Sequence, residues 1–207
     1  MKKMFLASSF VDVADLFVKF TEERCAGKTV AFIPTASLVE EVRFYVDAGK
    51  KALEKRGLIV NELEISTATK EEIESTIQKN DYIYVTGGNT FFLLQELKRT
   101  GADKIISEYI NSGKIYIGES AGAIVLSCNV EYVKNMDDFT AAPNIGTFSS
   151  LDMIDFYPVP HHTNFPFKES VENIISSYEG KIKLCPISNA QAIVVRGNKF
   201  EVWGAET

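Results

Sequence analysis

The chain has two histidines, His161 and His162, and three cysteines, Cys25, Cys128 and Cys185, in 207 residues. The cysteines are odd in number, far apart and without metal-ligand spacing, which argues against a disulfide framework or a zinc site. They read as reduced, mostly buried thiols. Neighbouring histidines rarely ligate one ion and no third ligand stands at a fitting distance, so neither a metal nor another cofactor is expected. Basic clusters interleaved with aromatics are also lacking. With 22 basic against 28 acidic residues and a net charge of −6, nucleic acid and anionic membranes are set aside in favour of a small molecule or short peptide. No apolar run reaches membrane-spanning length, and Asp12 and Asp15 interrupt the signal-like start, so a cytoplasmic location is expected. Repeats, low-complexity tracts and linkers are missing too, which predicts a single domain over residues 1–207, as a monomer or homodimer.

What is present is an alternation of short apolar runs with helical periodicity. Runs at 3–7, 29–34, 58–65 and 82–85 read as strands. Between them lie a helix opened by Ser9, a second begun by the capping box Ser37-Leu-Val-Glu40 and carrying Leu38 and Val42 inward, and a third begun by Thr69-Lys-Glu-Glu72. Further helices follow through Leu97 and through Ile110. Crossovers of this kind dictate an α/β fold, a three-layer mostly parallel sheet with helices on both faces. Residues 129–160 read as irregular, with the 134–148 stretch a lid over the site. A helix at 168–178 and strands at 182–186, 192–196 and 199–203 close the chain, the last two as an antiparallel hairpin.

The stretch Lys114-Ile-Tyr-Ile-Gly-Glu-Ser-Ala-Gly-Ala-Ile-Val-Leu-Ser127 reads as strand, sharp turn, helix. Such a nucleophile elbow holds its serine at positive φ, with Gly118 and Gly122 letting strand and helix pass closely, so Ser120 projects as a candidate nucleophile. A serine needs a base, and the chain offers His161 or His162. In an extended segment they point to opposite sides, so one of them can face Ser120. Gly87-Gly-Asn-Thr90 lacks the lysine of a phosphate loop. It either supplies the Gly88 N–H as one oxyanion donor beside that of Ala121, or is a plain helix start capped by Asn89.

Thr86-Gly-Gly-Asn-Thr90, Gly118-Glu-Ser-Ala-Gly122 and Pro160-His-His-Thr-Asn164, in this order along almost the whole chain, resemble the peptidase E family of serine peptidases, which includes the cyanophycinases. The resemblance implies a fold similar to class I glutamine amidotransferases with a C-terminal antiparallel hairpin. It implies Ser120 as nucleophile, His161 as general base, and oxyanion donors near Gly88 and Ala121. It also implies a dipeptidase-like activity, aspartyl in peptidase E proper.

The chain departs from the family in two places. Many relatives carry an acid just before the penultimate strand to orient the histidine, where this chain reads Pro186-Ile-Ser-Asn-Ala-Gln191. The orienter is then Asn189, a backbone carbonyl, water, or an acid from elsewhere such as Asp137 or Asp138. Aspartate-binding relatives also place an arginine after the histidine, where this chain offers Lys168. With Asn89 and Asp138, Lys168 is a candidate substrate contact. The alternative from another class is a non-catalytic binding protein for a small molecule or peptide on the same scaffold. An α/β-hydrolase esterase is a third reading, and it would need an acid between nucleophile and histidine.

Overall fold

Short runs of wholly buried side chains fix the centre of the molecule. In the computed structural model, which describes residues 1–22 and 25–205, strand β1 (Lys3–Ala7) leads to helix α1 (Phe10–Phe20), β2 (Thr29–Ile33), α2 (Phe44–Lys55) and β3 (Ile59–Glu62). Then follow α3 (Lys70–Lys79), β4 (Tyr82–Val85), α4 (Thr90–Thr100), α5 (Ala102–Asn111), β5 (Ile115–Glu119) and α6 (Ala121–Ile124). The chain ends with β6 (Tyr157–Val159), α7 (Lys168–Tyr178), β7 (Leu184–Pro186), β8 (Gln191–Arg196) and β9 (Lys199–Gly204). Among the described residues seven strands form one sheet in the order β3-β2-β4-β5-β1-β8-β9, and β6 pairs with β7 in a small second ribbon. The first five strands run parallel, while β8 and β9 are antiparallel to their neighbours.

Helices cover both faces, so the central strands carry successive apolar residues rather than an alternation with polar ones. On one face α1 and α2 pack over Phe5, Phe32 and Tyr84. There Phe5, Phe10 and Phe17 meet edge to face, with the Phe5 and Phe17 centroids 5.5 Å apart, a geometry that aromatic quadrupoles favour. On the other face α3, α4 and α5 bring Ile73, Ile77, Leu93, Leu97, Ile106 and Ile110 onto Ile83, Val85 and Tyr116. A third cluster, with Phe91, Ile124, Val159, Val171 and Ile174, binds α7 and the irregular 129–160 segment to this body. The carboxyl ends of β1, β2, β4 and β5 emerge side by side, with Ala7 opposite Glu119, Ile33 opposite Val85, and Val85 opposite Gly118. Parallel sheets place their sites beyond this edge.

Several expectations are corrected. Ser37 does not begin a helix. Its hydroxyl donates to the Pro34 carbonyl at 2.7 Å inside a single 3-10 turn, α2 starts seven residues later, and Leu38 and Val42 are exposed. The turn is held there because the Asn89 N–H donates to the Ala36 carbonyl at 2.8 Å. Strand β3 is shorter than the 58–65 run, since it lies at the sheet edge with one pairing neighbour. The helix after Ser120 is one turn long. The carbonyls of Val125, Leu126 and Ser127 accept from Leu151, Met153 and Asp152 instead of from a following turn. Inside the segment read as wholly irregular, 157–159 pairs as β6. Cys128 is exposed, with its thiol 2.8 Å from the Tyr157 hydroxyl, while Cys25 and Cys185 are buried.

The Thr69 capping box does form, with Thr69 Oγ1 accepting from the Glu72 N–H at 3.2 Å and Glu72 Oε2 accepting from the Thr69 N–H at 2.8 Å. Thr69→Ala is expected to lower the unfolding free energy by about 1 kcal/mol in urea titrations, through loss of this cap.

Candidate active site

Strand β5 stops where the chain must turn sharply without losing contact with its neighbours. Ser120 adopts φ 47° and ψ −107°, and its N–H donates to the Ala7 carbonyl at 2.8 Å. A non-glycine residue in that region stores on the order of 1–3 kcal/mol of strain, which the surrounding packing must impose. It does so through close backbone approach. A Cβ on Gly118 would lie 2.6 Å from the Gly122 carbonyl oxygen, and one on Gly122 would lie 2.3 Å from the Val85 oxygen. Alongside, Gly88 takes φ 132° with no room for a Cβ, since Ala36 would stand 2.3 Å away. Asn89 caps α4, its Oδ1 accepting from the Phe92 N–H at 2.9 Å. Among the described residues neither the Gly88 nor the Ala121 N–H meets an acceptor.

His161 faces this turn. Its Nε2 lies 3.0 Å from Ser120 Oγ and its Nδ1 lies 2.8 Å from Asn189 Oδ1. With the asparagine oxygen accepting, the proton sits on Nδ1 and Nε2 is left to accept from the serine hydroxyl. Burial pulls the imidazole pKa below its ordinary 6.5, opposed by the Asn189 bond, so the ring is neutral at pH 7. The backbone holding the ring is anchored. The His161 N–H donates to Ser8 Oγ at 3.0 Å, Ser8 Oγ donates to the Ile187 carbonyl at 3.1 Å, and the ring stacks on Phe167 at 4.6 Å. Asn189 is fixed in turn by its N–H, which donates to Asn164 Oδ1 at 2.8 Å. His162 lies with Nε2 3.7 Å from Glu172 Oε1. The two histidines diverge because the backbone coils, with φ 65° at His161 and 68° at Thr163, not because the segment is an extended strand.

The other sequence candidates fall out unequally. Asp137 and Asp138 do not hydrogen-bond to His161. Asp137 Oδ2 accepts from the Thr90 N–H at 2.9 Å, and burial pushes its pKa up to about 6. Asp138 accepts from Thr140 through its side chain and from Asn89 Nδ2 through its carbonyl at 2.8 Å, and both aspartates line the cavity beside Ser120. Asn89 lines it as well. Lys168 heads α7 and is exposed, outside the cavity's lining residues.

Sequence reasoning passed over Glu119, Tyr45 and Glu40. Glu119 is buried directly before the Ser120 turn. Its Oε1 accepts from the Phe10 N–H and its Oε2 from the Tyr84 hydroxyl, each at 2.8 Å. Burial raises its pKa, and the Phe10, Tyr84 and Gly87 donors pull it back. With Tyr45, Glu40, Met136 and Phe167 it completes a cavity of about 290 Å³. The acidic residue inside the G-x-S-x-G pattern was the available signal for Glu119. Nothing local marked Tyr45 or Glu40, which arrive from the loop and helix after β2.

A serine-bearing elbow on a mostly parallel three-layer sheet, with a histidine in contact with the serine, defines a hydrolase-like architecture. The signature of peptidase family S51 matches residues 4–203, and the chain belongs to that family. It is 57% identical over 199 residues to an uncharacterised peptidase of Listeria monocytogenes, covering 96% of this chain and 97% of that one. Peptidase E of Haemophilus influenzae is 31% identical over 65% of this chain and 58% of its own length. A 1.5 Å crystal structure of a candidate peptidase E protein from Listeria monocytogenes EGD-e superposes with a TM-score of 0.95 at 53% identity, covering all of both chains. Among the described residues no helix is long and apolar enough to cross a membrane.

Glu119→Ala leaves the buried Phe10 N–H and Tyr84 hydroxyl without their acceptor. We expect it to cost roughly 3 kcal/mol in urea-monitored stability. Gly122→Ala is expected to yield insoluble protein or one with a displaced Ser120 turn, read by loss of near-ultraviolet circular dichroism or of reactivity toward a serine-directed probe.

Proposed function

We propose that the chain is a serine peptidase acting on short peptides, dipeptides among them. Ser120 Oγ attacks the scissile carbonyl while His161 Nε2 takes its proton and returns it to the leaving amine. The Gly88 and Ala121 N–H groups receive the oxyanion, and water, activated by the same imidazole, releases the acyl group. Asn189 holds Nδ1–H and so keeps Nε2 free as the base.

The observation that carries this reading is the chain Ser120 Oγ, His161, Asn189 Oδ1, with contacts of 3.0 and 2.8 Å. The lowered imidazole pKa supports it, because a general base must be unprotonated before it can act. A neutral orienter fixes the tautomer but stabilises the imidazolium less than a carboxylate would, which predicts slower turnover than in an enzyme with a full triad. The small cavity favours short peptides over folded proteins.

A fluorophosphonate probe should label the wild-type protein stoichiometrically and Ser120→Ala not at all. Absence of labelling in wild type would favour a binding protein on the same scaffold. The acid limb of kcat/KM should fall below pH 6.5, the ordinary imidazole value. Asn189→Asp should move that limb to higher pH, because an adjacent carboxylate stabilises the protonated ring. Asn189→Ala should lower kcat on the order of 10²-fold, an effect within the range of general-base catalysis.

A further inference from the structure

The stretch Pro160-His-His-Thr-Asn164 brings His161 to Ser120, while its last residue stands outside the cavity's lining. Asn164 is nevertheless bonded to everything that surrounds the base. Its N–H donates to the His161 carbonyl at 2.9 Å, its carbonyl accepts from the Phe167 N–H at 3.0 Å, and its Oδ1 accepts from the Asn189 N–H at 2.8 Å. Together with the 2.8 Å contact of Asn189 Oδ1 with His161 Nδ1, these bonds close a ring. It runs from the imidazole to the Asn189 side chain, from the Asn189 backbone to the Asn164 side chain, and from the Asn164 backbone to that of His161. Phe167, tied to the same asparagine, lays its own ring on the imidazole.

Two features show why such a ring matters here. The group that orients His161 is a neutral amide, which lies in the connection between β7 and β8 rather than on a strand. A carboxylate holds an imidazolium by charge as well as by hydrogen bonding, whereas an amide oxygen acts only within a narrow range of distance and angle. Its effect therefore depends on how firmly it is placed. The turn that carries the base is also strained, with φ 65° at His161 and 68° at Thr163, and such a conformation persists only where bonds across it hold it. The Asn164 N–H closes that turn, and its side chain ties the turn to Asn189.

We propose that Asn164 is a positioning residue for the base, fixing Asn189 against the His161 turn so that a neutral amide does the orienting that a carboxylate does in a full triad. The inference rests on the peptidase reading above and deepens it. Asn164 acts through Asn189. Truncating its side chain removes the bond to the Asn189 N–H but leaves the His161 backbone held by Ser8, so the loss falls on the orienter.

The second-order rate of fluorophosphonate labelling at Ser120 reads the competence of the base without a known substrate. It is compared in wild type, Asn164→Ala, Asn189→Ala, the double variant and Asn164→Asp, each shown to be folded by circular dichroism. Asn164→Ala should label about tenfold more slowly than wild type, a loss typical of residues coupled through a hydrogen-bond network. The double variant should be no more than about twofold slower than Asn189→Ala, since the two losses are one loss. Asn164→Asp keeps an acceptor for the Asn189 N–H and should label within about threefold of wild type. A residue that merely braced the fold would lower the urea midpoint without this coupling. Unchanged labelling in Asn164→Ala, losses that multiply in the double variant, or Asn164→Asp as slow as Asn164→Ala would overturn the proposal. A wild-type protein that does not label at all overturns the peptidase reading and this inference with it, whereas labelling that ignores Asn164 overturns the inference alone.

Discussion

The structure depends on a place where three backbones meet without room for a side chain. Gly118 at the end of β5, Gly122 in the first turn of α6 and the Val85 carbonyl of β4 lie so close that a methyl group on either glycine would overlap main-chain atoms. That approach forces the intervening residue into a left-handed conformation, and the forced residue is Ser120. Protein interiors are packed densely enough that such a position is imposed on the chain by its surroundings. The direction of the serine hydroxyl follows from this contact, and beside it the Ala121 N–H meets no acceptor among the described residues.

The wall that carries His161 is built differently. Its ring comes from a coiled loop after β6, and its place is set by hydrogen bonds that run through Ser8, the residue after β1, to Ile187, the residue after β7. Phe167 closes the stack from the start of α7. Serine and imidazole are thus held by separate parts of the chain, 41 residues apart in sequence, one braced on Ala7 at the end of β1 and the other on Ser8 just after it. Asn189 extends the same bracing, because its backbone is tied to Asn164 two residues beyond His162.

Much of this was legible beforehand, and the pattern of misses is physical. Strands β1, β2, β4 and β5 were readable because burial on both faces demands uninterrupted apolar runs, and α3 because both partners of its capping box are spelled out locally. The Ser37 box was misleading for the opposite reason. The same four-residue spelling was overruled by a contact with the Gly88 loop, fifty residues away, that no local pattern records. The one-turn length of α6 is likewise decided by strand-like bonds from residues 151–153. At the site, residues with a distinctive local signature, Ser120 and His161, could be singled out. Glu40 and Tyr45 could not, since ordinary glutamate and tyrosine acquire significance from where the chain folds them.

Ser120 and His161 sit on segments pinned to the sheet, whereas Glu40, Asp137 and Asp138, on the cavity's outer side, come from stretches that connect its elements. Loops of that kind accept sequence change far more readily than a strained turn does. Divergence among descendants of this scaffold can therefore reshape the cavity's outer wall while Ser120 and His161 stay where they are.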